Sequence, residues 1–200
     1  MSRRVFLPLL LALLLAAGCS GGEERDAAAG GGMSASQTES SPRPLTDEEI
    51  LAAYARAEEA WGWFDLSPLP DTGDTVTLDG MHYRRVSAAG LGKVEDLRTY
   101  LRSLFTADLT EELLSAGGAQ PLYRDIDGAL YVRAVGRSRA AGKGEAEAEV
   151  TRVDETAYTV DVTVPLLDSD GVTAAGLECW SFPYALVDSR WVFTDFHSVY

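Results

Sequence analysis

The sequence predicts an α+β domain in which N-terminal helices pack on a curved antiparallel β-sheet arranged as a meander. A helical spacing of apolar residues follows a capping sequence that begins at Thr46. Two Asp-Gly pairs, at 79–80 and 127–128, separate runs rich in strand-forming residues. Apolar and polar residues alternate through much of 145–164, which is typical of strands with one buried face.

The first helix is predicted to begin after Thr46, which serves as N-cap with Glu49 as its capping-box partner. The helix should end near Gly62, because Pro68 and Pro70 prevent a long continuation. The apolar residues that recur at helical spacing are Ile50, Leu51, Tyr54, Ala57 and Trp61.

A β-hairpin is predicted next, with strands at 75–78 and 81–86 joined by Asp79-Gly80, a pair that suits a tight turn with positive φ. Helical spacing returns over 94–105. A third short helix contains Leu109, Leu113 and Leu114, and it should stop at Gly117-Gly118, which suit a left-handed helix end.

The rest of the chain is predicted to be strands and turns. Asp127-Gly128 gives a second hairpin signal, 168–171 reads as a turn, and Pro183 is expected to break or bend a long strand. The predicted strands cover 122–126, 129–134, 146–150, 158–164, 172–187 and 191–196.

The first nineteen residues have the three parts of an export signal. Arg3 and Arg4 give a positive start, residues 5–17 are almost wholly apolar, and small residues precede Cys19. The apolar run is shorter than the roughly 20 residues needed to cross a bilayer. The alternative is ordinary secretion, with Cys19 at the cleavage site by chance.

The segment 15–20, with the sequence LAAGCS, resembles the lipobox of bacterial lipoproteins, although Ala16 stands where a bulkier residue is usual. The resemblance implies cleavage before Cys19 and lipidation of its thiol, with palmitate among the possible acyl chains. We therefore expect a lipid-anchored protein at the extracytoplasmic face of the cell membrane. Residues 20–44 contain no Leu, Ile, Val or aromatic residue, so they are predicted to be a disordered tether before a single domain at 45–200.

The chain is strongly acidic. It carries 31 Asp and Glu against 17 Lys and Arg, a net charge of −14, and losing Arg3 and Arg4 with the signal leaves 31 against 15, or −16. Such a surface repels nucleic acid and favours basic partners, so we expect no nucleic-acid partner. The alternative is that the charge serves only solubility.

Catalytic and cofactor motifs are sparse, so we expect neither an enzyme nor a bound cofactor. The histidines are only His82 and His197, too few for a zinc site, and 168–171 resembles only the start of a calcium loop. Cys179, His197 and Asp195 are the one arrangement that suggests a cysteine enzyme. We instead predict that Cys179 is a small buried side chain, because its neighbours are apolar and acidic.

The aromatic residues have two interpretations. Trp61, Trp63 and Phe64 are predicted to be core between the first helix and the sheet, although they would also suit the wall of a ligand groove. A second aromatic set should form the inner face of the final hairpin: Trp180, Phe182, Trp191, Phe193 and Phe196.

From about Tyr83 to the C-terminus, the sequence resembles the bacterial DL-endopeptidase inhibitor family of the IseA type. The features that carry the resemblance are Tyr83-Arg84-Arg85-Val86, a helix with Leu97-Arg98-Thr99-Tyr100-Leu101 running into Leu104-Phe105-Thr106, a short helix with Glu112-Leu113-Leu114, the hairpin from Tyr123 to Tyr131, and the closing Arg190-Trp191-Val192-Phe193.

The resemblance implies a partner and a mechanism. Members of that family bind Cys–His hydrolases that cut peptidoglycan stems, and they cover the active-site cleft without being enzymes themselves. The expected function is regulation of a cell-wall autolysin by steric occlusion. Acidic turn residues are the candidate contacts: Asp125, Asp127, Asp168 and Asp170.

Two other classes remain open. One is a cystatin-like or nuclear-transport-factor-2-like lipoprotein domain that binds a small ligand or another envelope protein, and a small ligand would require a cavity lined by the aromatic residues. The other is the cysteine enzyme, which would require the Cys179 thiol beside His197.

Overall fold

The structure, a computed structural model, describes residues 43–133 and 136–200. The predicted signal peptide at 1–19, Cys19 and all but the last two residues of the tether lie outside the described residues. The described part has three helices and two four-stranded antiparallel sheets, so the predicted α+β class is confirmed. None of these helices combines the length and the apolar character that a membrane span needs.

Helix α1 (Asp47–Asp65) begins with the predicted capping box. The Glu49 amide donates to Thr46 Oγ1 at 3.3 Å, and the Thr46 amide donates to Glu49 Oε2 at 3.0 Å. The helix runs to Asp65, beyond the predicted end at Gly62, because Trp63 and Phe64 pack against Tyr100 and Tyr123 and hold another turn in place. Its buried face consists of Ile50, Ala53, Tyr54, Ala57 and Ala60.

The first sheet is built from two hairpins. Strands β1 (Asp71–Leu78) and β2 (Met81–Val86) form one, strands β3 (Tyr123–Ile126) and β4 (Ala129–Arg133) form the other, and the order is β1-β2-β4-β3. Both Asp-Gly turns adopt positive φ as predicted, with 52° and 76° at 79–80 and 48° and 79° at 127–128.

Helices α2 (Val94–Arg102) and α3 (Ala107–Leu114) connect these hairpins. Helix α2 stops before the predicted end at 105, because Leu104 and Phe105 leave it to contact the last strand of the second sheet. The Phe193 amide donates to the Leu104 carbonyl at 2.8 Å, and the Thr106 amide donates to the Phe193 carbonyl at 3.1 Å. Gly117 and Gly118 both have positive φ just after α3, as expected.

The second sheet is a simple meander of β5 (Glu147–Arg152), β6 (Ala157–Leu167), β7 (Ala174–Val187) and β8 (Arg190–Phe193), in that order. The sequence predicts one sheet, whereas the structure divides the strands between two. Strand β4 pairs with β2 on one edge and β3 on the other, so neither edge is free for β5.

Pro183 does not break β7, contrary to the prediction of an interruption there. The Pro183 carbonyl accepts from the Thr194 amide at 3.0 Å, so this residue directs its backbone polar groups toward β8. Regular pairing between β7 and β8 ends one residue away, at Tyr184 and Phe193. The N–H that Pro183 lacks would point the same way, past the end of that ladder, so the pairing between β6 and β7 keeps its bonds.

An aromatic cluster lies at the centre of the core, as predicted for the final hairpin. Phe196 contacts five other rings, and two of the closest centroid distances are 4.7 Å to Phe182 and 5.1 Å to Phe193. Tyr54 of α1 completes the cluster against Phe182 at 5.8 Å. This packing joins α1 to the inner face of the second sheet.

Candidate functional site

A β-ribbon extends from the second sheet, formed by residues 165–177 at the ends of β6 and β7. Side chains at Val160, Val162 and Val164 are buried, whereas every residue from 168 to 175 is exposed. The ribbon keeps cross-strand pairing almost to its tip, with a register shift beside Leu167. One edge is supported near the tip by 142–144, through bonds such as the Leu167 amide to the Gly142 carbonyl at 2.8 Å.

The tip of the ribbon is held by Asp170. Its Oδ1 accepts from the Val172 and Thr173 amides, both at 2.8 Å, and its Oδ2 accepts from the Thr173 hydroxyl at 2.6 Å. The Thr173 hydroxyl and the two amides lower the pKa of Asp170 to about 2. The tip therefore has a fixed loop geometry and a negative charge that persists in mild acid.

Two exposed apolar side chains follow this acidic turn along the chain. Val172 is 82% exposed and Leu177 is 63% exposed, and Val153 is the one comparable residue elsewhere in the described part. Neither Val172 nor Leu177 is among the contact residues predicted from the sequence. The alternation of β7 could have indicated that Leu177 is exposed, because Leu177 lies on the same outward-facing side of the strand as Cys179 and Ser181.

The base of the ribbon is tied to the end of the chain by one lysine. Lys143 Nζ lies 2.6 Å from Glu178 Oε2 and donates to the Val199 carbonyl at 2.8 Å. The hydrogen bond from the Lys143 ammonium lowers the pKa of Glu178. These contacts connect 142–144, β7 and the C-terminal segment where the ribbon leaves the core.

The four predicted acidic contacts lie at two separate turns. Asp168 and Asp170 are at the ribbon tip, where the Ser169 amide donates to Asp168 Oδ1 at 2.7 Å. Asp125 and Asp127 belong to the β3–β4 hairpin of the other sheet, where Asp125 Oδ1 accepts from the Val94 amide at 2.9 Å. Asp125 thus has a structural role at the start of α2, and the structure does not gather the four carboxylates into one cluster.

Cys179 is exposed, which corrects the prediction that it is a small buried side chain. The alternation of β7 places Cys179 on the outer face beside Thr163, with 4.0 Å between Sγ and Oγ1. His197 instead packs on Trp180 and Phe182, at centroid distances of 4.5 and 5.0 Å. Because successive strand residues point to opposite faces, the thiol and the imidazole lie on different sides of the sheet.

The predicted aromatic cluster packs on the core, and one of its members also lines a groove. Trp61, Trp63 and Phe64 pack on Phe105, Tyr100 and Tyr123 respectively, at centroid distances of 5.8, 5.4 and 5.0 Å. Trp63 also lines two hollows at the surface. Across 43–133 and 136–200, His, Cys, Asp and Glu side chains form no group of three or more suited to a metal ion.

Comparison with models of known protein families gave no match, and comparison with curated proteins gave none either.

Proposed function

We propose that this chain is an extracytoplasmic lipoprotein that inhibits a peptidoglycan DL-endopeptidase by placing the ribbon tip in its active-site cleft. The observation that supports the proposal is the combination of Val172 and Leu177, both highly exposed, with the charged turn that precedes them and contains Asp168 and Asp170. Apolar anchors surrounded by polar groups are the usual arrangement at the centre of a protein interface.

The tip is already organised for binding. Asp170 fixes its own loop through three hydrogen bonds, and Lys143 fixes the base of the ribbon. A loop that is ordered before association loses little conformational entropy when it binds, and this increases the affinity obtained from a small contact area. A narrow two-stranded projection also fits an open cleft better than the broad face of a sheet does.

Charge complements this shape. Residues 165–177 contain Asp168 and Asp170 and no Lys, Arg or His, and the whole chain carries a net charge of −14. Such a tip would be attracted to a positively charged rim around the hydrolase cleft. An anchor at Cys19, followed by the tether that the sequence predicts, would confine inhibition to the zone next to the membrane.

The ligand-binding alternative has less support. It needs a cavity in the core lined by the aromatic residues, but there Phe196 packs directly against Phe182 and Phe193, and the hollows that Trp63 lines are open surface features. We therefore favour a function at the surface over one in the core.

The test is to add the full chain in increasing amounts to DL-endopeptidases of the same organism and to follow peptidoglycan digestion. We expect dose-dependent loss of digestion and a one-to-one complex in size-exclusion chromatography with light scattering. Absence of both inhibition and complex with each of these hydrolases would refute the proposal.

The ribbon is tested by the double variant Val172→Ala/Leu177→Ala, which we expect to weaken inhibition by roughly tenfold or more, as for truncation of interface anchors. The matched control is Val153→Ala. Val153 is also highly exposed, at 62%, but it lies near the start of β6, whereas the ribbon tip lies beyond the end of that strand. Equal loss of inhibition in the ribbon variant and the control would place the contact elsewhere.

A further inference from the structure

A groove lies at the surface near the end of α1, with Trp63 in its middle. It consists of two adjoining hollows with volumes of about 640 and 660 Å³, and both are lined by Glu59, Trp63 and Pro70. Each volume falls within the range of about 300–1,000 Å³ that is typical of ligand sites. We call the two hollows together the Trp63 groove.

One half of the Trp63 groove is apolar. The Trp63 ring lies against the Tyr100 ring, with centroids 5.4 Å apart and planes 30° apart, so its orientation is fixed by packing. Small and aliphatic side chains complete this half, namely Leu69, Pro70, Ala88, Ala89 and Leu91. The surface therefore suits small apolar groups of an extended ligand.

The other half is charged, and its positive groups are already engaged. Arg137 Nε donates to Asp65 Oδ1 at 2.7 Å, and the Arg139 guanidinium lies 4.0 Å from the centre of the Tyr200 ring. By contrast, Glu58 and Glu59 make no side-chain hydrogen bond or salt bridge to another described residue. Among the described residues, the groove thus has two carboxylates outside any hydrogen bond or salt bridge, and Arg139 is the basic group that acts on Glu58.

One further feature makes this half attractive to a cation. Burial raises the pKa of the half-buried Glu58, with Arg139 as the opposing influence, so the ionised carboxylate is incompletely compensated. An incoming ammonium group would supply the missing compensation.

We propose that the Trp63 groove binds a short peptide segment that carries a primary amine beside small apolar side chains. The ammonium group lies between Glu58 and Glu59, and the apolar side chains lie against Trp63 and Tyr100. This site is separate from the inhibitory contact, because none of its lining residues belongs to the ribbon. A neutral saccharide would also stack on Trp63, but it would gain nothing from the two carboxylates.

The experiment uses the full chain and two capped probe peptides, acetyl-Ala-Lys-Ala-Ala-amide and the same peptide with glutamine in place of lysine. Binding is followed by the NMR signals of the tryptophan indole N–H groups. We expect the lysine peptide to bind about fivefold more tightly than the glutamine peptide, in line with one ammonium–carboxylate pair. The double variant Glu58→Gln/Glu59→Gln should remove this difference.

Two variants separate the site from general effects. Glu147→Gln/Glu149→Gln removes the same charge from the exposed face of β5 and should preserve the lysine preference. Ala89→Arg places a bulky cation at an exposed position of the apolar half and should block binding without disturbing the core. Unfolding curves check that each variant is folded.

Equal binding of the two peptides, no binding at millimolar concentration, or tighter binding of a neutral disaccharide would overturn this proposal. Hydrolase inhibition is measured in parallel with the Glu58→Gln/Glu59→Gln variant. Unchanged inhibition is expected, so the groove and the inhibitory function can fail independently of each other.

Discussion

Lys143 and Glu178 form an ion pair at the base of the ribbon, with 2.6 Å between Nζ and Oε2. Because the same ammonium group donates to the Val199 carbonyl, one side chain joins three segments of the chain. The pair lies where the ribbon leaves the core, so it holds the base of the ribbon that carries the proposed inhibitory tip.

Lys143→Met should lower stability and raise the pKa of Glu178 toward its ordinary value of 4.5, because the ammonium group that lowers it is gone. A lowered folded-state pKa gives stability that is present above the ordinary value and is lost as the pH falls through the lowered value. The wild-type chain and the variant should therefore differ in unfolding midpoint at neutral pH and converge in acid. Lys93→Met is the control, and equal effects of the two substitutions would contradict this role.

The pKa of Asp170 should be directly measurable by carbon-detected NMR titration, with a value of about 2. Thr173→Val removes the hydroxyl donor, so the pKa should rise toward 3.8 while remaining below it, because two amides still donate. Stability from this carboxylate is present above the ordinary value and is lost as the pH falls through about 2. Ser169→Ala is the control, and an unchanged pKa in Thr173→Val would contradict the assignment.

Phe193→Ala should destabilise the domain by about 3–5 kcal/mol, the usual effect of truncating a buried aromatic residue. Phe193 has no exposed surface and packs on Tyr184 and Phe196 at 4.7 and 5.1 Å. Val172→Ala should change stability by less than about 0.5 kcal/mol, because that side chain is 82% exposed. Urea unfolding measures both, and similar values for the two would show that the aromatic cluster is not the core.

Ser189→Gly should stabilise the β7–β8 turn by a few tenths of a kcal/mol, because non-glycine residues with positive φ are strained. Asp188 and Ser189 have φ of 48° and 63°. The gain is partly offset by the greater freedom of glycine in the unfolded chain. Gly80→Ala, at φ 76°, should act in the opposite direction, and thermal unfolding that shows the same sign for both would reject the argument.

Local chemistry made several elements predictable from sequence. The capping box at Thr46 and the two Asp-Gly turns depend on neighbouring residues alone, and the structure has all three as expected. The aromatic inner face of β7 also followed from simple alternation. These features need no knowledge of distant contacts.

Other features depend on contacts between distant segments, and local sequence patterns do not predict such contacts. The division into two sheets depends on the pairing of β2 with β4, which no local sequence pattern predicts. The apolar and acidic neighbours of Cys179 predict an interior position, although the register of β7 turns it outward. The candidate site was found in part, since Asp168 and Asp170 lie at the tip, but Asp125 serves α2 instead.

The proposed inhibition should divide kinetically between the charges and the apolar groups of the ribbon tip. Asp168→Asn should lower the association rate constant severalfold at low salt, because exposed charges act mainly by steering the encounter, and the difference should shrink as salt screens them. The Val172→Ala/Leu177→Ala variant should instead raise the dissociation rate constant, since apolar anchors act after the complex has formed. Surface plasmon resonance with the hydrolase measures both constants.

Glu155→Gln is the charge control. Glu155 is exposed in the β5–β6 turn, at the start of β6, whereas the ribbon tip lies at the other end of that strand. If Asp168→Asn and Glu155→Gln slowed association equally, the attraction would come from the overall charge of the domain, and the tip would lose its special role.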